Sequence, residues 1–460
     1  MNQHDCCGNL IKDCNGDCGG SAFIDLCEDC VGGNTELVTC EGCLDPLTST
    51  YDSENAQHNP IYCEDYAINI INDNEFFPLT TISTVDIDND GDIDILSLSQ
   101  NDNMIAWYAN DSTGTYGGQN VITTNADGIQ SIYASDIDGD GDMDVLSASK
   151  NDHKIAWYEN KGYGTGNFSN ENIIDIDADG ANVVYTVDLD GDGDMDVVSA
   201  STAISNYPYE DQIAWYKNNG SGIFIEKNVI TRCSISSADG ACEAADAPTS
   251  VYAADLDGDG DMDLLSASLG LGSDHLGGIH WYENDGEENF VAHVITEEPH
   301  GTQDQEECLY NDNCIGLNSA YTVYAADLDG DGDMDVLSAY SSDNKIAWYE
   351  NHGNGNFIQG DENVITIDVN GGQSVYVSDL DGDGDMDVLS PSFWYENDGG
   401  GEFTEFLFSW NISSTYVDAA DIDGDGDLDI LSGASGGDFW YENSVECQEG
   451  FFDCNGLCGG

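Results

Sequence analysis

The chain has 460 residues, and its 91 Asp and Glu against 8 Lys and Arg give a formal charge of −83. A surface so acidic repels polyanions, which argues against nucleic acid and against anionic membranes unless a metal ion bridges them. No apolar run is long enough to span a bilayer.

The chain opens on a cysteine-rich segment, residues 1–65, with nine of the sixteen cysteines. Its start, MNQHDCCGNL, lacks the basic region and apolar stretch of a signal peptide, so a secreted form is expected to be a mature chain or a fragment. Cys27-x-x-Cys30 followed by Cys40-x-x-Cys43 permits a four-thiolate zinc site. Structural disulfides in an oxidising compartment are the reading we favour for so many cysteines. A short apolar segment, Ala67–Ile71 (AINII), then precedes a long repetitive region that we place at 66–446.

Within that region the string Asp-x-Asp-x-Asp-Gly-Asp-x-Asp occurs seven times. Its copies are Asp86, Asp88, Asp90, Asp92, Asp94; Asp136, Asp138, Asp140, Asp142, Asp144; Asp188, Asp190, Asp192, Asp194, Asp196; and Asp255, Asp257, Asp259, Asp261, Asp263. Three more follow: Asp327, Asp329, Asp331, Asp333, Asp335; Asp379, Asp381, Asp383, Asp385, Asp387; and Asp421, Asp423, Asp425, Asp427, Asp429. Alternate carboxylates in a tight loop bring hard oxygens to one point, and the glycine lets the backbone turn so that the next carbonyl joins them. Calcium is the ion such a cage suits, which predicts about seven Ca²⁺ per chain. An EF-hand needs a bidentate Glu at position 12 and flanking helices. Here position 12 is Ser in every copy (Ser97, Ser147, Ser199, Ser266, Ser338, Ser390, Ser432), and each loop runs into an alternating segment such as MDVLSAS, a strand signal. The fourth carboxylate is therefore the Asp at position 9, and the loop closes a β-hairpin.

A second signature follows each loop: IAWYAN at Ile105, IAWYEN at Ile155 and Ile346, IAWYKN at Ile213, IHWYEN at Ile279, and FWYEN at Phe393 and Phe439. With SVYAAD before the loop and NVIT after the signature, each unit reads as four short strands. First aspartates lie 50, 52, 67, 72, 52 and 42 residues apart, the period of propeller blades. The last unit stops after its third strand, so Ala67–Ile71 is expected to complete it and remove the open sheet edge. The recurring tryptophans (Trp107, Trp157, Trp215, Trp281, Trp348, Trp394, Trp440) could stack on sugars, but one large aromatic per repeat is what a repeated core requires. Trp410 stands outside the repeat.

Two insertions, Thr231–Thr249 and Glu297–Tyr321, contain Cys233 with Cys242 and Cys308 with Cys314, each pair closing a short loop that we read as a disulfide. Together with the long loops Ser201–Gln212 and Leu269–Gly278, they are expected to emerge opposite the aspartate loops on blades three to five. Binding usually resides on such loops, which makes Tyr207, Tyr209, His275 and Tyr310 the candidate partner contacts.

At the end of the chain, residues 447–460, Cys447, Cys454 and Cys458 repeat the spacing of Cys7, Cys14 and Cys18, and DCNGLCGG repeats DCNGDCGG. The sequence either is one period of a tandem array or is a filament subunit whose tail pairs with the next subunit's head. Catalytic motifs are weak. Gly433-x-Ser435-x-Gly437 matches a nucleophile elbow without the helix that must follow it, and the eight histidines show no ligand or base-and-orienter spacing. Asn110, Asn167, Asn219 and Asn411 fit glycan sequons at a frequency near chance in a chain so rich in Asn and Ser.

The loop and blade motifs resemble the FG-GAP repeats of integrin α-subunit propellers and of many bacterial surface proteins, although the Phe-Gly and Gly-Ala-Pro signatures are not evident. In that family each calcium loop joins the first two strands of a blade. The terminal cysteine pattern, and Gly42–Cys63, resemble the linker repeats of large secreted bacterial surface proteins. The resulting expectation is an all-β, seven-bladed β-propeller with a calcium loop in each blade and disulfide-rich terminal modules. Such a protein is secreted or held at the cell surface, is not an enzyme, and serves adhesion or assembly with a protein or glycan partner. A carbohydrate-binding lectin is the alternative, and a polysaccharide-degrading enzyme the second.

Overall fold

In the computed structural model, the described residues are 22–24, 30–32, 68–72, 81–162, 166–203, 211–233, 246–270, 277–297, 320–340, 344–358, 360–367, 369, 374–408, 414–434 and 437–443. The chain divides into two units, Ile68–Asn443 and a second made of Met1–Ala67 with Ser444–Gly460. In the second unit the described residues form one antiparallel pair, Ala22–Ile24 with Cys30–Gly32. The terminal cysteines and the zinc reading otherwise fall outside the described residues.

Among the described residues the large unit is all strand, in seven four-stranded antiparallel sheets. Blade 1 consists of Thr81–Val85, Asp94–Ser99, Met104–Tyr108 and Asn120–Thr123. Blade 2 is Ile129–Ser135, Asp144–Ser149, Lys154–Tyr158 and Asn172–Asp175; blade 3 is Ala181–Val187, Asp196–Ser201, Asp211–Lys217 and Glu226–Cys233. Blade 4 is Pro248–Ala254, Asp263–Ser268, Gly278–Asn284 and Phe290–Glu297; blade 5 is Ala320–Ala326, Asp335–Tyr340, Lys345–Tyr349 and Asn363–Thr366. Blade 6 is Tyr376–Ser378, Asp387–Leu389, Phe393–Asn397 and Phe403–Leu407. Blade 7 joins Ser414–Ala420, Asp429–Ala434 and Gly437–Tyr441 to Ile68–Asn72, which pairs with the third strand in the register Ile68↔Tyr441, Asn69↔Trp440 and Ile70↔Phe439. One sheet is thus built from both ends of the unit.

First strands of successive blades pack against each other, and that of blade 7 returns to that of blade 1, so the blades form a closed ring. Burial follows from this stacking. Where fully described, the second strands, such as Asp144–Ser149, are buried along their whole length because a neighbouring blade covers each face. Their alternation of Leu or Val with Ser and Ala fills two interfaces at once. Outermost strands such as Asn120–Thr123 and Asn172–Asp175 are only partly covered. Bulges recur between third and fourth strands in blades 1 to 5 and raise the local twist.

The hydrophobic core lies between blades. Adjacent residues of a strand point to opposite faces, so each Trp-Tyr pair splits. Trp107 packs in a cluster with Tyr158 of blade 2, Trp157 with Tyr216 of blade 3, and Trp440 of blade 7 with Tyr108 of blade 1. All seven repeat tryptophans are buried, the most accessible being Trp157 at 6%. Five of them rest against a glycine of the next blade: a side chain at Gly114, Gly166, Gly222, Gly355 or Gly401 would collide with Trp440, Trp107, Trp157, Trp281 or Trp348.

The innermost strands carry one position, three residues before each aspartate loop, that lines the ring's axis. It is Tyr133, Tyr185, Tyr252, Tyr324 and Tyr376 in blades 2 to 6, with consecutive ring centroids 5.0, 5.6, 5.1 and 6.1 Å apart. The arc is completed by Asp418 in blade 7 and Ser83 in blade 1. Asp418 Oδ2 accepts hydrogen bonds from the Thr84 amide (3.2 Å) and hydroxyl (3.0 Å), stitching the last blade to the first.

Candidate metal centre

Every aspartate loop connects the first strand of its blade to the second, which places all seven on one face of the ring. The first carboxylate of a loop folds the backbone around itself: Asp136 Oδ1 accepts from the Gly139 and Asp140 amides and Oδ2 from the Gly141 amide at 3.0 Å. Gly141 has φ 92°, a conformation closed to side-chain-bearing residues. The fourth position is also left-handed, and where the first loop lacks glycine there, it has Asn89 at φ 57°.

This backbone gathers the carboxylates at the first, third and fifth positions. In the loops of Asp86, Asp188 and Asp255 these three groups each place an oxygen within 4.8 Å of the others, and in the second loop Asp136 and Asp138 do so with Asp144. Asp88 Oδ1, Asp138 Oδ1, Asp188 Oδ1 and Asp379 Oδ1 are buried oxygens without a hydrogen-bond partner. Carboxylate oxygens held this close repel one another, and a bound cation would relieve that repulsion. Hard oxygen donors of this number fit calcium, which takes roughly 6–8 of them.

The ninth aspartate works differently. Asp94, Asp144, Asp196, Asp263, Asp335, Asp387 and Asp429 each open a second strand and are inaccessible to solvent. Burial pushes Asp94 and Asp196 up to about 6 and the other five to about 7. One oxygen accepts the amide of the loop's second residue, as Asp144 does from Ile137 at 3.0 Å. The other accepts the amide of an asparagine at the end of the WYEN signature, as Asp144 does from Asn160 at 2.7 Å.

That asparagine joins two loops. Asn160 Nδ2 donates to Met143 O of its own loop (3.2 Å) and to Ile87 O of the loop in the preceding blade (2.8 Å). The same pair of bonds is made by Asn110, Asn218, Asn284, Asn351, Asn397 and Asn443, and Asn110 reaches Ile422 of blade 7. All seven are buried. An unbroken circuit of hydrogen bonds therefore runs around the ring through the ninth aspartate, the second peptide of each loop and the asparagine of the next blade.

The seventh aspartate has a further neighbour in its own blade. The carboxylates of Asp142, Asp194, Asp261, Asp333 and Asp385 lie against Gly162, Gly220, Gly286, Gly353 and Gly399, in the turn that follows the asparagine of the same blade. Sequence reading also passed over the residue before that asparagine. It is Glu159, Glu283, Glu350, Glu396 and Glu442 in five blades. Burial, reinforced by Asp140 and then Glu159, holds Asp138 above the usual carboxylate range, and Asp257 and Asp329 feel Glu283 and Glu350 in the same way. The signal was present as an invariant Asn and a near-invariant Glu, but only the fold shows what they face.

Tyr207, Tyr209, His275 and Tyr310 lie outside the described residues, as do Cys242, Cys308, Cys314, Trp410 and Ser435. Cys233 is buried at the end of its strand. Of the four histidines among the described residues, three serve local contacts: His153 pairs with Asp179, His352 with Glu350, and His293 with Glu283 while stacked on Trp281; the fourth, His280, is buried in the third strand of blade 4. Among the described residues no helix is long and apolar enough to cross a membrane.

A family model for the FG-GAP-like repeat matches residues 86–147, 136–199, 200–266, 327–390 and 391–432, well over half of the chain. No curated protein matches it by sequence. Among solved structures, a lectin of Agrocybe aegerita described as recognising non-reducing terminal N-acetylglucosamine is 19% identical, with 73% of this chain and 81% of that one covered and a TM-score of 0.49. The Dos1 propeller is 12% identical over 76% of this chain and 74% of its own, with a TM-score of 0.47. Virginiamycin B lyase from Staphylococcus aureus is 11% identical over 82% and 98%, also with a TM-score of 0.47. The chain, with its seven loops and seven blades, belongs to the FG-GAP-like repeat family.

Proposed function

We propose that this protein is an extracellular, calcium-stabilised scaffold for adhesion or assembly. The observation that carries this reading is the wiring of the loops. Their ninth carboxylates are buried at the blade seams and bonded through an asparagine to the neighbouring loop, so ions held there would brace the ring rather than report on calcium. The repetition of one loop pattern in every blade argues for the same role. At a free calcium concentration a hundredfold above Kd each site would add about 2.7 kcal/mol. A few such sites match the whole net stability of an ordinary domain, about 5–15 kcal/mol.

Thermal unfolding with excess calcium and with a chelator tests the reading. Removal of calcium should lower Tm by about 15 °C or more; an unchanged midpoint would sink it. The partner surface belongs on the face away from the loops, where blades three to five differ most in sequence. A glycan array in calcium buffer separates assembly from the lectin alternative, because specific glycan capture favours the lectin. Strings of discs in electron micrographs of native material favour assembly.

A further inference from the structure

The residue before the bridging asparagine is Glu in five blades and Ala109 in blade 1, but in blade 3 it is Lys217. Its ammonium pairs with Asp190 Oδ2, the carboxylate at the third position of the blade 3 loop, whose side chain is only 6% exposed. Lys217 also donates to Glu288 Oε1 of blade 4 at 3.1 Å. Glu288 is itself a departure from the repeat. It occupies the position held by Gly114, Gly166, Gly222, Gly355 and Gly401 in five other blades and takes the same left-handed backbone, with φ 66°. A glutamate is uncommon in that conformation. Two exceptions to the repeat, in different blades, therefore meet as an ion pair at one aspartate loop. At the same loop Trp215, whose counterparts in five blades lie over that glycine, donates its indole N–H to Asp196 Oδ2 at 2.9 Å.

We infer that the blade 3 loop carries its own cation, the Lys217 ammonium clamped by Glu288, and takes up calcium far more weakly than the other six loops. The inference rests on the calcium reading above. A divalent ion entering this cage must displace the ammonium from Asp190 or accept its repulsion. Elsewhere the equivalent side chain is an anion that favours the ion or, at Ala109, is neutral. One unit charge about 4 Å from a divalent ion changes affinity roughly thirtyfold even in a water-like dielectric.

Equilibrium dialysis of the full chain against calcium, with hydrogen exchange read separately over each loop, tests the inference. Six ions should bind tightly, and residues 188–196 should gain no protection over the range that protects the other loops. Lys217→Glu should bind a seventh ion and bring that loop's midpoint at least about tenfold lower. Lys217→Gln serves if the charge reversal prevents folding, and should shift the midpoint in the same direction. Seven equivalent ions on the unaltered chain, or no shift in either variant, overturns the inference while leaving the calcium reading intact. If no loop gains protection, the calcium reading itself fails.

Discussion

Asn160 does the work of three groups with one side chain and one amide. Its backbone N–H satisfies a buried carboxylate, and its Nδ2 satisfies two carbonyls, one of them 73 residues earlier in the chain. Asn160→Leu keeps the volume and removes both donors, leaving Ile87 O and Met143 O without a hydrogen-bonding partner there. We expect a loss of about 2–4 kcal/mol in calcium-saturated protein, taken at about 1–3 kcal/mol per unsatisfied buried group. Denaturant unfolding measures it, and a loss below about 0.5 kcal/mol would show that the bridge is dispensable. The aspartates were legible in the sequence because they recur as one string at fixed spacing. The asparagine was legible only as an unexplained letter in WYEN, because its acceptor lies in another blade. Lys217 stood in plain view in IAWYKN, but a charge has no assignable role until its neighbour is known.

At the scale of the strand, the four-strand unit could be read directly because alternation and turn chemistry are local. The burial of both faces of Asp144–Ser149 was less visible: small polar residues such as Ser147 and Ser149 look solvent-facing until a neighbouring blade is placed over them. The strand that joins the two ends of the unit is Ile68–Asn72. Ile70→Pro removes a backbone N–H and sets a fixed φ opposite Phe439, which works against the pairing of this strand with Gly437–Tyr441. The expected result is faster hydrogen exchange over Gly437–Tyr441 with blades 3 to 5 unaffected. Unchanged protection there would mean that the pairing contributes nothing to closure.

At the scale of the ring, one axis position breaks the sevenfold pattern. Asp418 sits among Tyr376, Tyr324, Tyr133 and Thr84, and burial pushes its carboxyl up to about 6. A folded-state value above the unfolded one means that the native ring holds this proton longer. Its stabilising contribution is complete below about pH 4 and is lost as pH rises through about 6. Relative to Asp418→Asn, the unaltered ring should therefore gain about 2 kcal/mol between pH 8 and pH 4.5. Denaturant titrations of both proteins across that range test it, and a pH-independent difference would refute it. The closing blade has a mechanical consequence as well. Its terminal strand enters at Ile68 directly opposite Tyr441, where the ring's chain leaves, so both ends of the propeller sit at the same end of one antiparallel pair. Tension applied through the two ends loads those hydrogen bonds one after another, as a zipper opens, instead of all at once in shear. A pull would open blade 7 first and leave the other six blades outside the path of the force.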